Sequence, residues 1–221
     1  MDAIIRPIVR HCIAVAVTAG LLAGCAGGKR KPIASVSKPA AKPSSMPRPP
    51  MGATAGMTIP AVGKDGQRIT PNRELSEAAT LWHVRMALNV AALSCLKQDA
   101  ARVQYNQFLN AHKTVLAKAN KAVDAEYRER LGSKGVDARD RLNTRVYNFF
   151  ALPPVQERFC DRAIAVGRVV NARKSSELSA YAPEAIVSLE APFLEFYDAY
   201  AVYQVRLAAW RKEGRQELSA R

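Results

Sequence analysis

The chain has 221 residues and a formal net charge of +14, with 33 Lys and Arg residues against 19 Asp and Glu residues. A charge this positive is typical of proteins that bind nucleic acid, an anionic membrane or an acidic polymer. The sequence contains no G-x-S-x-G, P-loop or G-x-G-x-x-G motif, so a nucleophile elbow and a phosphate cradle find no support.

The first 24 residues have the pattern of an export signal. Arg6 and Arg10 precede an uncharged, mostly apolar run that extends from His11 to Gly24. The run is too short for a membrane span, which takes about 20 apolar residues, but it has the length of a signal-peptide core. We therefore expect residues 1–24 to be a signal peptide. An exported protein rarely meets nucleic acid, so we expect no nucleic-acid partner.

The last residues of this run, Leu22-Ala23-Gly24-Cys25, resemble the lipobox of bacterial lipoproteins at every position. The resemblance covers residues 1–25 only. It implies cleavage before Cys25, a diacylglycerol on its thiol, and acylation of the new N-terminus with a fatty acid such as palmitate. The chain would then be a lipoprotein on a cell membrane, facing the periplasm, and Ala26 favours the outer membrane by analogy. The alternatives are an ordinary secretory signal cut elsewhere and an uncleaved anchor.

Residues 25–70 are predicted to form the lipidated N-terminus and a tether. From residue 26 to residue 70 there are seven prolines, and eight Lys and Arg residues accompany a single Asp, which gives +7. Large apolar side chains are nearly absent, so this segment cannot bury enough surface to offset its ordering entropy. We expect a disordered, basic tether that lies against anionic lipid or acidic polymer. A coil of this length averages about 40 Å from end to end.

Two cysteines remain in the mature chain once Cys12 leaves with the signal and Cys25 carries lipid. Cys95 and Cys160 form an even pair in an oxidising compartment, which predicts one disulfide. Two unpaired core thiols are the alternative. Neither cysteine lies in a C-x-x-C motif, so thioredoxin-like redox chemistry is not indicated.

Residues 71–221 are predicted to form one all-α domain. Apolar residues recur at spacings of three and four in four long segments, and no stretch alternates as a β-strand would. The predicted helices are A (Thr70-Pro71 to about Lys97), B (about Ala100 to Leu131), C (about Asp137 to Leu152) and D (about Pro154 to Lys174). With one or two shorter helices they indicate an antiparallel bundle. The disulfide would join helix A to helix D.

An aromatic-rich final helix is predicted from Pro192 to about Lys212, with Pro183 and Pro192 each at the start of a turn or at a kink. Large side chains recur on one face, including Phe193, Tyr197, Tyr200, Tyr203 and Trp210. Such a stripe is typical of a core seam. The alternative is a groove that binds a hydrophobic or aromatic ligand.

The junction of helices C and D is the most distinctive local sequence. Asn143 and Asn148 accompany two phenylalanines ahead of Pro153-Pro154. The segment from Arg141 to Cys160 resembles one in uncharacterised envelope proteins of alphaproteobacteria, and this resemblance implies no activity. We interpret the junction as a helix hairpin, with a ligand-binding corner as the alternative.

Candidate catalytic and metal-binding residues are few. His83 and His112 lack the neighbours of an H-E-x-x-H or Glu-x-x-His motif, so we expect no metal site and no cofactor. Glu177 and Glu190 are the candidate acids for a cell-wall hydrolase, although capping or solvated glutamates are commoner.

Three functional hypotheses follow. The first is a non-enzymatic, lipid-anchored envelope protein that presents its helical domain to another periplasmic protein or to the cell wall. The second is a periplasmic carrier with a ligand groove along the final helix. The third is a cell-wall-active enzyme with Glu190 or Glu177 as its acid.

Overall fold

The computed structural model describes residues 45–219, with side chains as far as Gln216. Between these limits the regular structure is helical, and the isolated bridge between Val62 and Arg68 is the sole β pairing. The six α-helices are α1 (Glu77–Ser94), α2 (Asp99–Ala111), α3 (Lys113–Leu131), α4 (Gly135–Phe150), α5 (Gln156–Ala172) and α6 (Leu178–Ser219). The all-α prediction is confirmed. The signal peptide, Cys25 and the tether before residue 45 lie outside the described residues.

Helix α1 is the centre of the bundle, since it contacts each of the other five helices. Its buried residues lie on all sides of the helix, as expected for a helix enclosed by others. They are Ala79, Thr80, Leu81, His83, Val84, Met86, Ala87, Leu88, Val90 and Ala91. The helix begins at Glu77, later than the predicted start at Pro71, because the Ser76 hydroxyl accepts a 3.1 Å hydrogen bond from the Ala79 amide and caps it.

The outer helices pack in pairs around α1: α3 against α4, α2 against α5, and α5 against α6. Short connections reverse the chain between α3 and α4 and between α5 and α6, so the helices of these two pairs run antiparallel. Phe108, Phe150 and Phe159 are fully buried where these helices meet. The predicted antiparallel bundle is therefore confirmed.

Predicted helix B is divided into α2 and α3 at His112. The His112 ring is 3% exposed, and its Nε2 lies 3.0 Å from the Val170 carbonyl oxygen at the end of α5. Its Nδ1 lies 2.8 Å from the Ser175 hydroxyl. These contacts join the break between α2 and α3 to the connection before α6. Local periodicity did not predict the break, because both partners are distant in sequence.

The predicted final helix and the segment before it form one 42-residue helix, α6, which contains both Pro183 and Pro192. At 1.5 Å per residue it is about 63 Å long. Each proline removes one backbone donor from the helix. Buried side chains continue from Leu178 to Leu207, so packing against the bundle sustains the helix through both positions.

Residues 45–76, named the strap here, are ordered against the helices. The Tyr200 hydroxyl donates a 2.8 Å hydrogen bond to the Thr54 carbonyl oxygen and accepts one of 2.8 Å from the Met57 amide. Ala53 is buried in the same region. One aromatic residue of α6 therefore holds the strap through its backbone.

A second attachment of the strap is made by Arg68. Its guanidinium donates to Asp198 Oδ1, from Nε at 2.9 Å and from Nη2 at 2.8 Å, and to the carbonyl oxygen of Pro60 at 2.9 Å. The same group lies 5.9 Å from the centre of the Tyr197 ring. The predicted tether is thus wrong for residues 45–70, which belong to the folded domain. Backbone and arginine hydrogen bonds add to the few apolar contacts of this segment, which Ala53, Met57 and Ile59 make with the core.

Candidate functional site

Most aromatic residues of the predicted stripe on α6 are buried in the core. Phe193 and Tyr200 are fully buried, and Tyr197 and Tyr203 are each 6% exposed. The Phe193 ring centre lies 4.7 Å from that of Phe149, and it also packs edge-on against two further phenylalanines of α4 and α5. These side chains form the core seam, and a ligand would have no access to the buried rings of Phe193 and Tyr200.

Trp210 is the half-buried end of this seam. It packs against the edge of the core, and it lies beside a shallow surface depression with Arg211, Gly214 and Arg215. Of the five predicted groove residues, Tyr203 and Trp210 lie at surface depressions, and Tyr203 lines its depression together with Pro47 and Val202.

Glu190 belongs to a hydrogen-bonded polar cluster under the strap. The Asn72 side chain donates from Nδ2 to Glu190 Oε1 at 3.2 Å. The Asn72 Oδ1 is therefore the acceptor for His83 Nδ1, at 2.9 Å. The proton of the His83 ring accordingly lies on Nδ1. Burial, with Glu190 nearby, raises the pKa of Tyr197 to about 12. Glu190 thus helps to hold the strap on α1 and α6.

His83 is neutral in this cluster. It is 1% exposed, and burial lowers the pKa of its imidazole to about 4. Glu177, the other candidate acid, is exposed and accepts a 3.2 Å hydrogen bond from the Lys174 amide, which caps the turn before α6. Glu177 and Glu190 are not brought together, and no set of three His, Cys, Asp or Glu side chains in the described residues is arranged to hold a metal ion.

The predicted disulfide is present, with 2.06 Å between the sulfurs of Cys95 and Cys160 and 5.6 Å between their Cα atoms. It joins the C-terminal end of α1 to α5. These two helices correspond to predicted helices A and D, which the sequence predicts to be joined. The Gln156 side chain donates to the Ser94 hydroxyl at 2.7 Å and lies 3.5 Å from the Cys160 sulfur. The disulfide and Gln156 together fix the end of α1 against α5.

A groove of about 520 Å³ lies beside this disulfide and is named the disulfide groove. Three separate segments form it: the strap, the connection between α1 and α2, and the start of α5. Its lining residues are Met51, Ser94, Cys95, Leu96, Lys97, Gln98, Pro153, Pro154, Gln156, Glu157 and Cys160. Leu96 is 86% exposed and Met51 is 37% exposed. The groove therefore exposes apolar side chains to solvent beside the disulfide between Cys95 and Cys160.

The sequence indicated part of this groove. The Pro153-Pro154 corner was singled out as distinctive, and the two cysteines were expected to meet. Met51 and Leu96 were missed, because single exposed apolar residues are common and only the fold shows that these two lie together. Asn143 and Asn148 do not line the groove.

The described helices include none that combines the length and the apolar character needed to cross a membrane. Comparison of the whole chain with protein-family models, with curated proteins and with solved structures finds no match in any of the three.

Proposed function

We propose that this chain is a lipid-anchored protein of the cell envelope whose helical domain is a non-enzymatic interaction module. The lipobox-like sequence ending at Cys25 supports the anchor. The disulfide supports an extracytoplasmic location, because such bonds persist in oxidising compartments and are rare in the cytosol. The outer membrane is the proposed site where a cell has two membranes.

The disulfide groove is the observation that carries the interaction role. Its lining combines the apolar side chains of a leucine, a methionine and two prolines with the polar side chains of Lys97, Gln98 and Glu157, a mixture that protein interfaces also have. Leu96 and Pro153 are exposed, so the groove is open to solvent and suits a segment of another protein better than an enclosed small molecule. The proposed partner is an envelope protein that inserts an apolar segment here.

The carrier hypothesis has less support, since a ligand beside Phe193 or Tyr200 would have to displace core side chains. The enzyme hypothesis requires an acid in a cleft. Glu190 is instead hydrogen-bonded to Asn72 under the strap. Neither alternative is supported by a specific arrangement of side chains in the described residues.

Two experiments test the proposal. Mass spectrometry of the native protein should find a first residue, Cys25, that carries a diacylglyceryl group, and a Cys25→Ala variant should remain unlipidated. An intact leader or an unmodified first residue would contradict the anchor.

The interaction role is tested by placing a photo-crosslinking amino acid at Leu96 in living cells, with the same group at Val187 as the control. Val187 is 67% exposed on α6, outside the groove. We expect a discrete adduct from position 96 only, and we expect Leu96→Asp to weaken its partner's binding by tenfold or more, as for apolar contacts at interface centres. Equal adducts at both positions would contradict the assignment of the groove.

A further inference from the structure

The first described residues of the chain lie against the second half of α6. Pro47, Arg48 and Pro50 line a surface groove of about 380 Å³ together with Val202 and Arg206 of this helix. The hydrogen bonds of the Tyr200 hydroxyl fix the strap a few residues further on. The chain between Cys25 and the domain therefore meets the domain at this part of α6.

This part of α6 is strongly basic. Between residues 199 and 216 the helix carries Arg206, Arg211, Lys212 and Arg215 against a single acid, Glu213. All four cations are exposed, and within the described part of the chain none of them is in an ion pair with a carboxylate. Arg48 adds a fifth exposed cation from the strap.

Exposed apolar side chains accompany these cations. Val205 is 71% exposed, Val202 is 50% exposed, and Met46 at the start of the strap is 59% exposed. A helix that combines cations with exposed apolar residues is typical of a segment that lies on a membrane surface. At 100° per residue, Val202, Val205, Arg206 and Lys212 lie on one side of α6, and the acid Glu213 lies among them. We name these four residues, together with Arg48 of the strap, the basic face.

The length of the chain before the strap restricts how the domain can turn. Cys25 and Ser45 are 20 residues apart in sequence, so even a fully extended chain spans at most about 70 Å. A chain anchored at Cys25 would therefore hold Ser45, and with it the second half of α6, within this distance of the membrane.

We propose that the basic face lies on the anionic phospholipid headgroups of the membrane that carries the anchor. This inference rests on the proposed lipidation of Cys25. The basic face would be a second binding signal beside the acyl chains, and such a pair of signals makes attachment stable. Each Lys or Arg near an anionic surface strengthens binding by about fivefold.

The test uses the chain from residue 26, without acyl groups, and vesicles of phosphatidylethanolamine and phosphatidylglycerol or of phosphatidylcholine alone. The triple variant Arg48→Gln, Arg206→Gln, Lys212→Gln removes three charges from the basic face. The matched control Lys118→Gln, Arg141→Gln, Arg145→Gln removes three exposed charges from α3 and α4. We expect the first variant to lose about a hundredfold in affinity for the anionic vesicles, and the control to lose less than about fivefold.

Equal losses in the two variants would show that net charge alone attracts the vesicles, and this result would overturn the proposal. Unchanged binding of the first variant would overturn it too. The vesicle assay uses unacylated chain, so its result does not depend on lipidation. The basic face could fail to bind vesicles while mass spectrometry finds the lipid on Cys25, and it could bind them while Cys25 carries no lipid. The two proposals are therefore tested separately.

Orientation is tested with an environment-sensitive fluorophore on a single introduced cysteine, at Val205→Cys on the basic face or at Val136→Cys on α4. Val136 is 55% exposed and serves as the control. We expect a blue shift on anionic vesicles from position 205 only. Equal shifts at both positions, or a shift from position 136 alone, would overturn the proposed orientation.

Discussion

Replacing Tyr200 with Phe should release the strap from α6. The substitution keeps the ring in the core but removes both hydrogen bonds of the hydroxyl, each 2.8 Å long. At about 1 kcal/mol for each bond, the free energy of unfolding should fall by about 2 kcal/mol. For a domain of this size, the melting temperature should fall by about 4–8 °C.

Calorimetry gives the loss of stability, and hydrogen exchange shows where it occurs. We expect the Met57 amide and its neighbours to lose protection in the Tyr200→Phe variant. Tyr203→Phe is the matched control, because Tyr203 is equally part of the seam but its hydroxyl makes no hydrogen bond within the described residues. Full protection of the strap in Tyr200→Phe, or equal losses in both variants, would refute the reasoning.

Three further predictions concern stability. Replacing Cys95 and Cys160 with alanine opens a loop of 65 residues, and urea denaturation should show a loss of about 4 kcal/mol in the chain-entropy model. Gly135→Ala should lower the melting temperature, because its Cβ would lie 2.6 Å from the backbone carbonyl oxygen of Tyr127. Gly214→Ala meets no atom within 4 Å and should stabilise α6 by up to about 1 kcal/mol. The pKa of His83 is about 4 in the folded state and 6.5 in the unfolded state. The free energy of unfolding should therefore fall by about 3 kcal/mol as the pH drops from 6.5 to 4. In the His83→Gln variant, the free energy of unfolding measured by urea denaturation should depend less on pH across this range.

The fold class and the disulfide could be predicted from the sequence because their signals are local or compositional. Apolar spacing within each helix predicts the bundle, and an even pair of cysteines in a chain expected to be exported predicts the disulfide. The limits of single elements were less predictable. The division at His112 depends on Val170 and Ser175, and the continuity of α6 through Pro183 depends on packing along its whole length.

The order of residues 45–70 could not be read from their composition. Few apolar side chains are available there, and the attachment depends on Tyr200 and Arg68, whose partners are more than 120 residues away in sequence. The disulfide groove was hidden for the same reason, since Met51, Leu96 and Pro153 come from separate segments. Pairings across such distances are decided by the tertiary structure, so a single sequence gives no local sign of them.

The strap has a consequence for the order in which the molecule is assembled. Its hydrogen-bond partner on α6 is 143 residues further along the chain from Met57, so the strap cannot dock until nearly the whole polypeptide has been synthesised and, if exported, has crossed the membrane. An anchored N-terminus would therefore be in place first, and closure of the strap over α6 would be among the last steps of maturation. A truncation that removes the end of α6 but spares Tyr200 should leave this closing step intact, whereas a stop codon before Tyr200 should abolish it.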